Sequence, residues 1–252
     1  VFDLKGKVAI VTGGNGGIGF GMARGLARAG ASIAVVARNE KKSAGAVQKL
    51  RALNVEAQAF KADVTSAEEV SHMAGAVVEA FGGINILVNN AGMNIRKRPE
   101  DLEPDEWQQV LNTNLTSAFL CSRACYPALK GAGGGKILNN GSMLSIFGTP
   151  WGSAYAASKG GMVQLTKSLA TAWAPDNIQV NCFLPGWIDT ELTRNARREV
   201  DGLHEKVLAR TPAGRWGDIE DFEGLAVFFA SAASNFITGV AIPVDGGFSV
   251  SG

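Results

Sequence analysis

Short apolar runs rich in β-branched residues alternate along this chain with stretches of helical periodicity, and that alternation constrains the fold more than any other feature. Strand patterns stand at 7–12, 32–37, 56–61, 84–88, 135–140, 178–183 and 240–244. Between them, apolar residues recur at helical spacing over 18–30, 41–53, from Ser66 onward, 104–130, 154–173 and 218–230. In 18–30 the apolar side is Ile18, Met22, Leu26 and Ala29, and Gly30 stops the helix. Ser66 followed by Glu69 forms a capping-box pair at the start of the third helix. Strands that alternate with helices predict an α/β fold, a seven-stranded parallel sheet doubly wound with helices on both faces. No linker, repeat or low-complexity segment divides the chain, so 1–252 reads as one domain. The segment 186–216 has no strand signal. Its polar helical pieces read either as a lid over a substrate or as an added surface helix pair.

Charge and composition remove several function classes. Net charge is +1, which gives no pull toward nucleic acid or an anionic membrane surface. No apolar run reaches the roughly 18 residues of a membrane span, and Val1-Phe2-Asp3-Leu4 opens no apolar signal stretch. Cys121, Cys125 and Cys182 lack C-x-x-C spacing and read as reduced core thiols, which points to the cytoplasm. His72 and His204 have no partner at ligand spacing, so no metal site is expected.

The first strand and first helix are joined by Thr12-Gly13-Gly14-Asn15-Gly16-Gly17-Ile18-Gly19. Glycines allow a tight turn and let backbone N–H groups approach an anion, and the helix behind them presents its positive end. A diphosphate is the expected guest. Gly14, Gly16 and Gly19 satisfy G-x-G-x-x-G in the strand-to-helix context of a dinucleotide site, a Rossmann-type arrangement. No G-K-[ST] follows, which disfavours a nucleotide triphosphatase. At the end of the second strand an acidic residue would bind a ribose 2′-hydroxyl and favour NAD. The chain has Ala37-Arg38-Asn39-Glu40 there, and Arg38 can take a 2′-phosphate bidentately, so NADP is the expected cofactor. A strand end displaced by two residues would make Glu40 the ribose ligand and reverse the preference.

With these residues in view, the chain resembles the short-chain dehydrogenase/reductase family over essentially its whole length. The family's T-G-x-x-x-G-x-G is met by Thr12, Gly13, Gly17 and Gly19, its adenine-side acidic residue by Asp63-Val64, and its N-N-A-G by Asn89-Asn90-Ala91-Gly92. Its Y-x-x-x-K is met by Tyr155 and Lys159, its Ser thirteen residues earlier by Ser142, its helix-borne Asn by Asn114, and its P-G by Pro185-Gly186. Gly141 stands where many members have another Ser. The resemblance implies that Asn114, Ser142, Tyr155 and Lys159 are catalytic. It also implies a cofactor set of Thr12, Gly13, Asn15, Gly17, Ile18, Gly19, Arg38, Asp63, Val64, Asn90, Ala91, Gly92, Tyr155, Lys159, Pro185, Gly186, Ile188 and Thr190. A homotetramer, with the C-terminal tail packed between subunits, is implied as well; a tail folded on its own core is the alternative.

Reduction of a carbonyl needs hydride at carbon and a proton at oxygen. A phenol near pKa 10 exchanges protons slowly at neutral pH. Tyr155 and Lys159 are i and i+4, so a helix sets them on one face, where an ammonium is expected to lower the phenol. Ser142 would hydrogen-bond the substrate oxygen, and Asn114 would hold a water linking Lys159 to solvent. Ser145 and Ser153 also precede Tyr155, and only the family register selects Ser142.

The pocket is expected at the carboxyl ends of the strands, with Asn94, Arg96, Ser142, Trp151, Tyr155 and Trp187 as substrate residues. Arg96-Lys97-Arg98 after N-N-A-G resembles sugar-acid dehydrogenases of the gluconate or deoxygluconate type, in which a guanidinium would hold the carboxylate. A solvated basic loop, a 3-oxoacyl carrier reductase whose carrier meets Arg194, Arg197 and Arg198, and a non-catalytic NADPH-sensing module are the competing readings.

Overall fold

The computed structural model describes residues 1–251. Strand β1 (Val8–Thr12) carries five apolar or small residues in a row, all buried, as a strand covered on both faces requires. Alternate residues divide between two cores. Ala9 and Val11 join one with Met22 and Leu26 of α1 (Gly17–Arg28) and Phe229 of α9 (Glu223–Ala230). Val8 and Ile10 join the other with Val70 and Val77 of α3 (Ala67–Phe81) and with Cys121 and Leu129 of α5 (Ser117–Gly131).

All seven strands pair in parallel in the order β3-β2-β1-β4-β5-β6-β7. The remaining strands are β2 (Ser32–Val36), β3 (Ala57–Phe60), β4 (Ile86–Asn89), β5 (Gly135–Asn140), β6 (Ile178–Pro185) and β7 (Ala241–Val244). The order reverses between β1 and β4, and the crevice outside their carboxyl ends is where an open α/β sheet takes a ligand. The doubly wound parallel sheet read from the alternation is therefore the one observed, with each strand in the place expected for it.

Local differences have local causes. The stretch 104–130 is interrupted: α4 (Pro104–Leu111) passes through one π-turn, Asn112–Thr116, into α5. Such a turn inserts a residue into the helix and commonly marks a functional position; this one holds Asn114. At the start of α3 Ser66 accepts from Glu69 N at 3.3 Å, but the Glu69 carboxylate accepts from Asp63 N at 2.8 Å, so only half of the expected box forms there. The segment 186–216 contains α7 (Glu191–Glu199) and α8 (Leu203–Arg210). The helices α2 (Glu40–Arg51) and α6 (Ser153–Trp173) complete the set. Among the described residues no helix is long and apolar enough to cross a membrane, and no His, Cys, Asp and Glu cluster is placed to hold a metal.

Candidate active site

The loop after β1 shows which glycine register the backbone needs. Gly13 and Gly17 have φ of 64° and 54°, a region that side chains rarely adopt. These are the family's positions; Gly14 and Gly16 of the alternative spacing keep negative φ or extended backbone. Thr12 ties the loop to the next strand. Its Oγ1 donates to Val88 O at 3.2 Å and accepts from Asn90 N at 2.9 Å and Ala91 N at 3.1 Å. Asn90 Nδ2 donates back to Thr12 O at 3.0 Å.

Two cavities run along this edge. One, of about 390 Å³, brings together Gly13, Asn15, Gly17, Ile18, Asn90, Ala91 and Gly92 from the first two loops with Tyr155, Lys159 and Thr190. The other, of about 200 Å³, lies beyond Gly13 and is bordered by Arg38, Asp63 and Val64. Asn140, absent from the sequence-derived set, borders the larger one; its Oδ1 is buried with no hydrogen-bond partner. A buried acceptor without a donor and two adjoining cavities over a glycine turn fit the two halves of a dinucleotide.

Arg38 is largely exposed and reaches Asp63 at 3.4 Å. Hydrogen bonds from Thr65 N and Oγ1, and secondarily the Arg38 charge, hold the Asp63 carboxyl below its usual range. Glu40 is the first residue of α2 and pairs with Lys61 at 2.5 Å, bordering neither cavity. Strand β2 ends at Val36, so the displacement that would have made Glu40 a ribose ligand does not occur. Pro185 and Gly186 border the next cavity rather than these two. Ile188 is buried in the core and borders a separate hollow beneath the loop.

That next cavity, of about 290 Å³, contains all six substrate candidates, Asn94, Arg96, Ser142, Trp151, Tyr155 and Trp187. Asn94 Oδ1 is buried there without a partner. Ser142 follows β5 by two residues and borders the cavity, its Oγ accepting from Leu144 N at 3.1 Å. Ser145, the competing serine, is spent on backbone: its Oγ donates to Lys159 O at 2.8 Å and accepts from Ser142 N at 3.1 Å. Of these two serines, Ser142 borders the cavity and Ser145 does not.

Tyr155 and Lys159 share one face of α6, with the ammonium 5.5 Å from the ring centroid. The charge relation differs from expectation. Burial pushes the Tyr155 phenol above its ordinary 10, against the opposing pull of its Ser142 hydrogen bond and the Arg96 charge. Lys159 is itself buried, which lowers its pKa to about 8, and its Nζ donates to Asn140 O at 2.6 Å. A desolvated ammonium aimed at a carbonyl does not offset the burial of the phenol, so the predicted lowering by Lys159 is not present in the chain alone.

Asn114 is fully buried in its π-turn. Its Oδ1 accepts from Met93 N at 2.8 Å, and its Nδ2 donates to Met93 O at 2.9 Å and Ser158 Oγ at 3.0 Å. It joins the loop after β4 to the helix bearing Tyr155. Sequence reasoning also missed Lys42, Arg210 and Phe248, none of which stands in a motif. Lys42 Nζ meets Glu191 at 3.0 Å across the larger cofactor cavity, and Arg210 and Phe248 border the substrate cavity. Of the three arginines Arg194, Arg197 and Arg198, the first two pair with Asp189, just before α7, and Arg198 is exposed.

A doubly wound parallel sheet with a glycine turn at its switch point and a Tyr–Lys pair beside a serine defines a nicotinamide-type oxidoreductase. The chain belongs to the short-chain dehydrogenase/reductase family and is an oxidoreductase acting on CH–OH groups. A family model described as enoyl-(acyl carrier protein) reductase matches residues 13–249. The chain is similar to the 2-dehydro-3-deoxy-D-gluconate 5-dehydrogenase of Bacillus subtilis, with 41% identity over 98% of this chain and 96% of the relative. It is 36% identical to the gluconate 5-dehydrogenase of Gluconobacter oxydans, over 100% and 98%. Among solved structures it resembles a gluconate 5-dehydrogenase from Burkholderia cenocepacia in complex with NADP and tartrate, with a TM-score of 0.95, 38% identity, and 100% and 98% of the two chains covered.

Proposed function

We propose that this chain is an NADP(H)-dependent dehydrogenase that interconverts a secondary alcohol and a ketone on a sugar acid. The observation that carries the reading is that Tyr155 borders both the cofactor cavity and the substrate cavity. Hydride and proton must reach adjacent atoms of one carbonyl, so the proton-transferring group has to stand where the two spaces meet. The similarity to gluconate and deoxygluconate 5-dehydrogenases supports the substrate class.

The glycine turn, Asn90 and Lys159 would hold the dinucleotide, with Arg38 at its adenosine end. When bound, the nicotinamide supplies or accepts the hydride. Ser142 donates a hydrogen bond to the substrate oxygen and steadies the charge that grows there. In reduction Tyr155 gives its phenolic proton to that oxygen; in oxidation it takes the proton from the alcohol. A phenol raised by burial is a good proton store at neutral pH, and the oxidative rate is expected to climb as pH rises and the phenol ionises. Asn114 positions Tyr155 through Ser158, whose Oγ donates to Tyr155 O at 2.7 Å. The helices α7 and α8 act as a lid, held by Lys42–Glu191 on the cofactor side and by Arg96–Glu199, 3.0 Å, on the substrate side.

The assembly is proposed to be a homotetramer in the cytoplasm. Phe248 of the C-terminal tail turns to its own cavity, and exposed Trp107 on α4 and Phe119 on α5 supply an apolar face for a second copy. Light scattering checks the mass; a monomer contradicts the assembly without touching the enzymatic reading. The reaction is tested with Tyr155→Phe, assayed with NADP⁺ on gluconate and deoxygluconate-type acids. Turnover is expected to fall by about a thousandfold with NADPH binding by fluorescence preserved; unchanged turnover refutes the role of Tyr155.

A further inference from the structure

Two guanidinium groups border the substrate cavity, and they are not equivalent. Arg96 is already paired: its Nη1 meets the Glu199 carboxylate at 3.0 Å and its Nη2 donates to Leu192 O at 3.4 Å. To take a substrate carboxylate it would have to give up the last residue of α7 and leave Glu199 unpaired. Arg210 is the last residue of α8, and among the described residues no carboxylate pairs with it. Its Cζ lies 4.2 Å from the ring centroid of Phe248 and 5.3 Å from that of Phe147, both of which also border the cavity. Among the described residues, none that borders this cavity is acidic. A guanidinium held against an aromatic ring by cation–π attraction still has N–H groups to offer a planar anion.

We propose that Arg210, clamped by Phe147 and Phe248, is the residue that selects an anionic substrate by binding its carboxylate, and that Arg96 is a strut of the lid. This rests on the sugar-acid reading above. Arg210 stands in the same enclosure as Ser142 and Tyr155, so an acid anchored on it presents a carbon further along its chain to the reacting groups. Arg210 itself is exposed, so the rings fix its position at the mouth of the cavity rather than bury its charge. The assignment also gives the C-terminal tail a task, since Phe248 reaches the site only because the turn after β7 is locked. There Asp245 accepts from Gly247 N at 3.0 Å and from Ser249 N at 2.7 Å.

The test compares D-gluconate with D-glucitol, the same carbon chain with CH₂OH in place of the carboxylate, in the wild type, Arg210→Ala, Arg210→Lys and Arg96→Ala, with NADP⁺. Tartrate is added as a competing anion against whichever substrate turns over. Arg210→Ala is expected to raise KM for gluconate and Ki for tartrate by about tenfold or more, with kcat and the glucitol constants within about twofold. Arg210→Lys, which keeps charge but loses the fork, falls between. The proposal is overturned if gluconate and tartrate bind Arg210→Ala as they bind the wild type, if gluconate and glucitol weaken alike, or if only Arg96→Ala loses the anion. A wild type that turns over neutral substrates but no sugar acid removes the sugar-acid reading, and the tartrate series then decides for or against the anion site at Arg210 on its own.

Discussion

Asn140 Nδ2 donates to Asn90 Oδ1 at 2.9 Å, and through that one bond the phosphate turn and Lys159 become parts of a single network. On one side Asn90 Nδ2 reaches Thr12 O at 3.0 Å; on the other the Asn140 carbonyl accepts from Lys159 Nζ at 2.6 Å. The parallel pairing of β4 with β5 sets the two asparagines side by side at the strand ends. Cofactor binding and proton transfer therefore share a scaffold.

Replacing Asn140 by Ala leaves the carbonyl that holds Lys159 but strips the donor from Asn90 Oδ1. Because Asn90 is half-buried and borders the cofactor cavity, the loss falls at the low end of the roughly 1–3 kcal/mol that an acceptor left without its partner costs. The variant is expected to lose that much stability in urea unfolding and to bind NADPH about tenfold more weakly by fluorescence titration. Wild-type NADPH affinity in a stable variant would show that the asparagine pair does not organise the cleft.

Lys159 makes stability depend on pH in a definite direction. Burial lowers its pKa from 10.5 to about 8 in the folded chain, and it is 3% exposed. Below about 8 both states carry the proton, and the folded state bears the cost of a desolvated ammonium. Between about 8 and 10.5 the unfolded chain keeps the proton while the folded chain has released it, so this group's penalty fades as pH rises. Lys159→Met lacks the penalty. Its stability relative to wild type should be most favourable below about pH 8 and should decline by up to about 3 kcal/mol across the window, followed by urea unfolding of both proteins. Curves that stay parallel would mean the ammonium is not desolvated.

The strands, their parallel order and the cofactor turn were legible because they depend on local periodicity and on glycines that only one backbone shape explains. Gly13 and Gly17 are examples: their positive φ decides between two spacings that the letters alone leave open. That Tyr155 and Lys159 share a helix face was legible from their i, i+4 spacing, while only the family register singled out Ser142. What the sequence hid is what long-range contacts create. Arg210 and Phe248 come from α8 and the chain's end and meet Phe147 only in the folded protein. The raised Tyr155 phenol also escaped, since an i, i+4 lysine announces proximity but not the burial that outweighs it.

Arg38 offers a prediction about cofactor choice. Its guanidinium is exposed and its 3.4 Å contact with Asp63 is long, so it is free to turn toward a 2′-phosphate at little cost. Arg38→Ala should weaken NADPH by about 2 kcal/mol, or roughly thirtyfold, and leave NADH unchanged. Kinetics with both cofactors check this, and equal losses on both would assign Arg38 to holding the loop of Asp63 instead.

Two alanine substitutions, chemically identical, should have opposite signs. A Cβ on Gly19 would strike Asn90 Nδ2 and come within 2.6 Å of Gly13 O, neither of which can retreat without breaking the turn or the Asn90–Asn140 bond. Gly45, in the exposed middle of α2, has nothing within 4 Å of the same added atom. At Gly45 the substitution only narrows the unfolded ensemble and improves helix propensity, so Gly45→Ala should gain about 0.5–1 kcal/mol. Gly19→Ala should lose about 1–3 kcal/mol, as overpacking does, and should lose NADPH binding with it. Thermal melts of the two variants, each with and without NADPH, read both effects. The cofactor should raise the melting temperature of Gly45→Ala as it does the wild type's and leave that of Gly19→Ala unmoved. A Gly19→Ala protein still stabilised by NADPH to the wild-type extent would mean that the close approach of this turn to Asn90 is not what shapes the cofactor site.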